Sequence, residues 1–432
     1  MKPMAGMVVT FLGLTLAGQG AGATSPTWSA GYATDAPARL EATVVAAVVD
    51  RSDNLILAGL ASGPLSIGKE CRFPEGLAKH PFLMKVAPSG RLSWCHPVGP
   101  ITALTSVGNT LLAVTYGYAG ATGSPTVVSI ERDGRLTRRS ELRESHQVSV
   151  IEAGANGDLF FGGCDREWLG ADFPGTPRVM TQHDGFVARA NRDGKILWRL
   201  SVREKHDEGA RGPEASADCV TSLRRSDRGG VFATGPFKGA LALGEWKLSG
   251  NEGTFIARLA ENGDLLWARR GASRLATASY DVRPGIAVDS RQHVIVAGIV
   301  PRPAEPREAS GLLSVRSDGD TDWFLGIGSE GLCCEGKDLV VDSGLGRIFV
   351  AGRVARRSLQ VGPETIDMSS ADGFVAQVSP SGKVLAVQKL PGFVSGLFAV
   401  LPGRRGEWIV GDDRPLETWT GLFAHWSPRA SD

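Results

Sequence analysis

The residues with the clearest capacity for chemistry are six cysteines, Cys71, Cys95, Cys164, Cys219, Cys333 and Cys334. No two are spaced as CxxC, so neither a zinc knuckle nor a dithiol redox motif is present, and the even count points to disulfides formed in an oxidising compartment. The seven histidines stand singly, without the i, i+4 spacing of a helix-borne metal pair. The chain has no GxSxG elbow, no HExxH, no phosphate-binding GxxxxGK[ST] and no calcium loop of alternating Asp. No catalytic group, metal ligand or cofactor is therefore assigned. What remains is a set of charged and aromatic residues just after short apolar runs, namely Asp165, Arg166, Trp168, Arg353, Asp412 and Arg414. Such residues on loops of a rigid scaffold are candidates for binding.

The elements that must position them come from an internal repeat. Asp184-Gly-Phe-Val-Ala-Arg-Ala-Asn-Arg-Asp-Gly-Lys-Ile-Leu-Trp198 returns as Gly253-Thr-Phe-Ile-Ala-Arg-Leu-Ala-Glu-Asn-Gly-Asp-Leu-Leu-Trp267, and seven copies begin at Phe82, Thr126, Phe186, Phe255, Gly311, Phe374 and Leu422. Each reads as two strands joined by a tight turn, with Gly90, Gly134, Gly194, Gly263, Gly319 and Gly382 supplying a positive φ. Ahead of each hairpin stands a second pair of apolar runs, as in Gly285-Ile-Ala-Val-Asp-Ser290 and His293-Val-Ile-Val-Ala-Gly298. Four strands per unit and seven units predict an all-β, seven-bladed β-propeller over residues 24–432, with antiparallel blades stacked face to face.

The seventh unit, 395–428, stops after three strands. The segment near 27–32 matches the fourth-strand pattern and is expected to complete that last blade, leaving no open edge. Trp94, Trp198, Trp267 and Trp323 each fall four residues after the turn glycine. Recurrence at one repeat position argues for packing between blades, because a ligand cage would need one site. Lys85, Ser129, Arg189, Arg258, Ser314, Gln377 and His425 share a third-strand position and read as structural. Loops after second and after fourth strands emerge on one face of such a ring, which groups the candidate binding residues. It also groups the cysteines: Cys71 is expected to pair with Cys95, and Cys164 with Cys219. Cys333 and Cys334 are left for each other, for a partner, or as two reduced thiols, since a bond between sequence neighbours closes a strained ring. Two insertions, Val202 to Asp218 and Pro301 to Ser310, extend the same face.

Residues 1–23 carry Lys2, the apolar run Met7 to Ala17 and Ala21-Gly-Ala23, which is the pattern of a signal peptide cleaved after Ala23. No later segment reaches the apolar length of a membrane span. Lys plus Arg number 47 against 46 Asp plus Glu, a net charge of +1, so no basic field for nucleic acid or anionic lipid exists. The expectation is an exported monomer, periplasmic, extracellular or cell-surface associated.

These units resemble the bacterial seven-bladed β-propeller repeat proteins of secreted and cell-surface chains, most closely from Val231-Phe-Ala-Thr-Gly235 through Gly253-Thr-Phe-Ile-Ala-Arg258 to Leu266-Trp267. The resemblance covers nearly the whole mature chain, and it implies a binding or scaffold role. Asp193-Gly-Lys-Ile-Leu-Trp198 is also similar to the Trp-docking repeat of quinoproteins, and the adjacent Cys333 and Cys334 invite the same comparison. That resemblance implies the alternative of a dehydrogenase dependent on pyrroloquinoline quinone, although those enzymes have eight blades and a calcium-holding Asp, Asn and Glu set that has no counterpart here. Sialidases, also propellers, carry Asp-box turns that this chain lacks. The reading is a non-catalytic propeller that binds a protein or glycan partner through one loop face, with no cofactor.

Overall fold

A computed structural model describes residues 28–30, 42–62, 66–67, 71–72, 79–107, 109–116, 125–142, 147–154, 156–165, 184–205, 219–271, 285–301, 308–328, 339–344, 346–354, 358–369, 373–390, 397–403, 407–411 and 423–426. The predicted signal segment 1–23 lies outside them. Every regular element among the described residues is a β-strand, and no helix there is long and apolar enough to cross a membrane.

The repeats are numbered one to seven in chain order. Repeat one forms a sheet of Ala42–Val49, Leu55–Ser62, Lys79–Val86 and Leu92–Pro97, and repeat two one of Ile101–Val107, Thr110–Thr115, Thr126–Ile130 and Leu136–Glu141. One eight-stranded sheet carries repeat three (Gln147–Ala153, Leu159–Asp165, Asp184–Ala190, Ile196–Lys205) and repeat four (Ser222–Arg225, Val231–Leu243, Trp246–Leu259, Leu265–Arg270). Repeat five is Ile286–Val288, Val294–Pro301, Glu308–Val315 and Thr321–Gly328, and repeat six is Leu339–Gly344, Arg347–Arg353, Gly373–Val378 and Val384–Leu390. The last sheet holds Leu397–Pro402, Glu407–Gly411, Phe423–Trp426 and, as its fourth strand, Trp28–Ala30, with Trp28 opposite His425. Innermost strands of successive repeats touch in chain order, and Leu397–Pro402 touches Ala42–Val49, which closes the ring.

The architecture is a β-propeller of antiparallel sheets, but its blades number six rather than the expected seven. The reason is a strand pairing that repeat counting does not reveal. Val231–Leu243 runs past its own blade, bulges between Lys238 and Gly239, and its far half pairs with the end of Ile196–Lys205, Lys205 opposite Ala240 and Val202 opposite Leu243. Repeats three and four thereby share one sheet. The hairpin Ser358–Val361 and Glu364–Asp367, inserted between the second and third strands of repeat six, adds to the outer edge of repeat five, with Val361 opposite Ile327, while the four strands of repeat six remain a separate sheet. Leu241, Leu243, Leu359 and Val361 of these back-folded hairpins are buried, so each covers an outer strand that would otherwise be an open edge.

Second and third strands are apolar without alternation because both of their faces are buried between neighbouring sheets. Leu55, Ile56, Leu57, Leu83 and Met84 are all fully buried. Fourth strands lie at the rim and alternate, as Leu92–Pro97 does. The tryptophans bind adjacent repeats together. Indole Nε1 atoms of Trp94, Trp198, Trp267 and Trp323 donate to the carbonyls of Arg132, Glu261, Ser317 and Pro380 at 2.8 to 2.9 Å, each two residues before the next repeat's turn glycine. A methyl group on Gly263 would sit 2.7 Å from the Trp198 ring, so that glycine is required by close approach as well as by its φ of 94°. Packing between repeats, as expected for these tryptophans, is what they do.

Three members of the third-strand column, Lys85, Arg189 and Gln377, make structural contacts. Lys85 Nζ binds Asp50 Oδ2 at 2.8 Å, Arg189 Nη2 binds Asp158 Oδ2 at 2.7 Å, and Gln377 Oε1 accepts from Arg347 Nη1 at 2.8 Å. Each partner belongs to, or directly follows, the turn between first and second strands. The side chain of His425 lies outside the described residues.

Candidate functional site

The face formed by connections after second and fourth strands is braced at three places. Cys164, near the end of the second strand of repeat three, is bonded to Cys219, just ahead of the first strand of repeat four, with a Cα separation of 4.8 Å. This is the pairing the sequence predicts. The other braces are the two back-folded hairpins, which leave from the same face. Cys95 is disulfide-bonded as well, while the Cys71 side chain and both Cys333 and Cys334 lie outside the described residues. Of the six candidate binding residues, Asp165 closes the second strand of repeat three, opposite Asp184, and Arg353 closes that of repeat six, opposite Gly373. Arg166, Trp168, Asp412 and Arg414 lie outside the described residues. Among the described residues no group of His, Cys, Asp and Glu is placed to hold a metal ion.

On the opposite face the turns between first and second strands are short and regular. Asp53, Gly157, Gly229 and Gln292 occupy equivalent turn positions with φ of 63°, 79°, 86° and 67°. Gln292 thus stands where two other repeats use glycine, and its buried side chain ties two repeats together. Its Oε1 accepts from Ser226 Oγ at 3.0 Å and from Asp227 N at 2.7 Å, and its Nε2 donates to Asp227 Oδ2 at 3.0 Å. Asp289 opens the same turn, its Oδ1 accepting the amides of Arg291 and His293 at 2.9 Å each, with Arg291 Nε 3.2 Å from Oδ2. Arg291 and His293 both reach Asp322 Oδ2, at 2.9 and 3.1 Å.

Between these turns of repeats four, five and six opens a recess of about 230 Å³, lined by Arg225, Asp227, Asp289, Ser290, Gln292 and Arg347 among others. Beside it lies a charged cluster carried by innermost strands. Arg224 Nη2 is 3.6 Å from Asp342 Oδ2, and the backbone N–H of Arg225 donates to Glu152 Oε1 at 3.4 Å. Arg224 and Asp342 belong to repeats four and six, with repeat five between them, so the pair must bridge the axial space of the ring. Enclosure there pushes the carboxyls of Glu152 and Asp342 above their ordinary values, against the opposing pull of Arg224, while the two carboxylates together hold the Arg224 guanidinium protonated more strongly than usual.

The recess and the axial cluster were not anticipated from the sequence. Their residues come from turns that look interchangeable, and the one available signal was a glutamine at a turn position where glycine recurs. The back-folded hairpins did have a signal. Leu241-Ala-Leu243-Gly244 and Leu359-Gln-Val361-Gly362 each alternate and then end at a glycine with φ of 57°, two residues before a further strand.

No protein-family model and no curated protein sequence matches the chain. Solved structures of similar shape include a streptogramin B lyase (10% identity, 92% of this chain and 97% of that one, TM-score 0.49). They also include a catalytically inactive virginiamycin B lyase from Staphylococcus aureus (10% identity, 88% and 94%, TM-score 0.47) and a neuraminidase-like protein from A/bat/Guatemala/164/2009 (10% identity, 94% and 95%, TM-score 0.42). At such identities no activity, substrate or residue role passes from these proteins to this chain.

Proposed function

We propose that the protein is an exported, non-catalytic binding propeller that captures a protein or glycan partner on the face carrying the connections after second and fourth strands. The observation that supports this reading is the bracing of that face. The Cys164–Cys219 bond and the two back-folded hairpins all fix its base, whereas the opposite face is held by short turns. Rigid support beneath connecting loops lowers the ordering cost of binding, which is how loop platforms gain affinity. A disulfide is also compatible with the oxidising compartment that export would give.

The test is capture of a panel of glycans and cell-envelope proteins by the mature chain, 24–432, compared with a Trp168→Ala, Arg353→Ala, Asp412→Ala triple variant. Lost capture at an unchanged unfolding midpoint supports this face as the binding surface. Undiminished capture by the variant removes it. A rise in midpoint on adding pyrroloquinoline quinone with calcium overturns the non-catalytic reading.

A further inference from the structure

The recess on the opposite face has a donor–acceptor imbalance. Its carboxylates are mostly spent. The Asp289 side chain is 1% exposed, with both oxygens bonded within its own turn, and Asp227 Oδ2 holds Gln292. The Ser343 hydroxyl is spent too, on the Val288 carbonyl. The guanidinium groups keep donors to spare. Among the described residues the Arg225 side chain makes no hydrogen bond, although its charge is felt by the neighbouring Glu152 carboxylate, and Arg347 uses Nη1 alone, on the neutral amide of Gln377. The Ser290 hydroxyl makes no hydrogen bond among the described residues, and Ser290 is exposed at the rim. Space is present as well, since a methyl group added at Gly346 would meet nothing within 4 Å.

We propose that this recess is an anion site, in which the guanidinium groups of Arg225 and Arg347 and the hydroxyl of Ser290 take the carboxylate or phosphate group of a small ligand. Guanidinium forks match the planar geometry of both oxyanions and form the stronger, charge-assisted class of hydrogen bond. A volume of about 230 Å³ is below that of drug-sized sites, roughly 300–1,000 Å³, so the occupant is small. The walls are fixed before the ligand arrives. Gln292 locks the turns of repeats four and five together, and Ser343 ties repeat six to repeat five. Preorganised donors of this kind give up little entropy on binding. The site lies on the face opposite the loop platform and does not depend on the partner proposed for that platform.

The test is titration calorimetry of the full mature chain with inorganic phosphate and with glucuronate, at constant ionic strength. Binding of phosphate, of glucuronate or of both is expected, and which of them binds distinguishes a phosphate from a carboxylate ligand. Arg225→Gln should weaken that binding about tenfold, the effect of losing one charge-assisted contact. Ser290→Glu, a change at an exposed turn position that leaves both guanidinium groups in place, should abolish it by repulsion even if Arg225→Gln folds poorly. Arg203→Gln, on the other face, should bind as the unmodified protein does. Absence of heat with both anions, or unmodified affinity in Ser290→Glu, would overturn the assignment.

Discussion

Removing the Cys164–Cys219 bond perturbs the platform face through the unfolded state more than through the folded one. The two cysteines are 55 residues apart, and closing a loop of that length removes chain entropy worth about 4 kcal/mol at 25 °C. Both cysteines are buried, so alanine is the better replacement, because serine would bury a hydroxyl at each site. The experiment is urea unfolding of the Cys164→Ala, Cys219→Ala double variant beside the unmodified mature chain. Reducing agent is unsuitable, since it would also open the bond at Cys95. Two readouts are expected to move together. Stability falls by about 2–4 kcal/mol, and the urea dependence steepens because the unfolded chain, no longer cross-linked, exposes more surface. A loss below about 1 kcal/mol with an unchanged slope would refute the argument that this bond restrains a long loop. If the bond braces the platform as proposed, partner capture weakens in the same variant at temperatures where it is still folded.

Three further outcomes follow from particular contacts. Gly263→Ala should cost more than Gly346→Ala in urea unfolding. Both positions carry a positive φ, about 1–2 kcal/mol for a non-glycine residue, but only at Gly263 would the added methyl group also meet a tryptophan ring. Equal costs would show that the indole gives way freely. Ser314→Ala should leave stability unchanged or raise it by about 1 kcal/mol, because the serine hydroxyl is fully buried and has no hydrogen-bond partner among the described residues, and a loss of stability would reveal a partner for it. Glu152→Gln should flatten the dependence of stability on pH. Burial holds this carboxyl above its ordinary value of 4.5, so the fold carries no ionisation penalty below that value and the full penalty once pH exceeds the folded value. The unmodified chain therefore loses stability as pH rises through that window. Parallel pH profiles of midpoint for the two proteins would contradict the assigned cause.

How much of this was legible in the sequence depended on whether a feature repeats. The turn glycines and Trp94, Trp198, Trp267 and Trp323 recur at fixed spacing, and a spacing that recurs can be read as one physical demand, here an indole packed on the next repeat's turn. The Cys164–Cys219 pair was legible because the repeat places both residues beside one face. The blade count was not, because it is decided by the far half of one strand, Ala240 to Leu243, pairing across a repeat boundary. Neither was the recess, whose residues are ordinary turn residues until repeats four, five and six are set side by side.

Departures from the repeat therefore carry more information about function than the repeat does. A glutamine at φ of 67° is costlier in its backbone than the glycines at equivalent positions, and it persists only if its side chain returns more than the strain. Gln292 does so with three hydrogen bonds across a repeat boundary. Those bonds fix the wall of the one described recess in which two guanidinium groups have donors to spare. A ring held only by its tryptophans and glycines would need none of this. The asymmetry at repeats four to six is what the proposed anion site requires of the scaffold, since it sets the turns of three repeats rigidly around one recess.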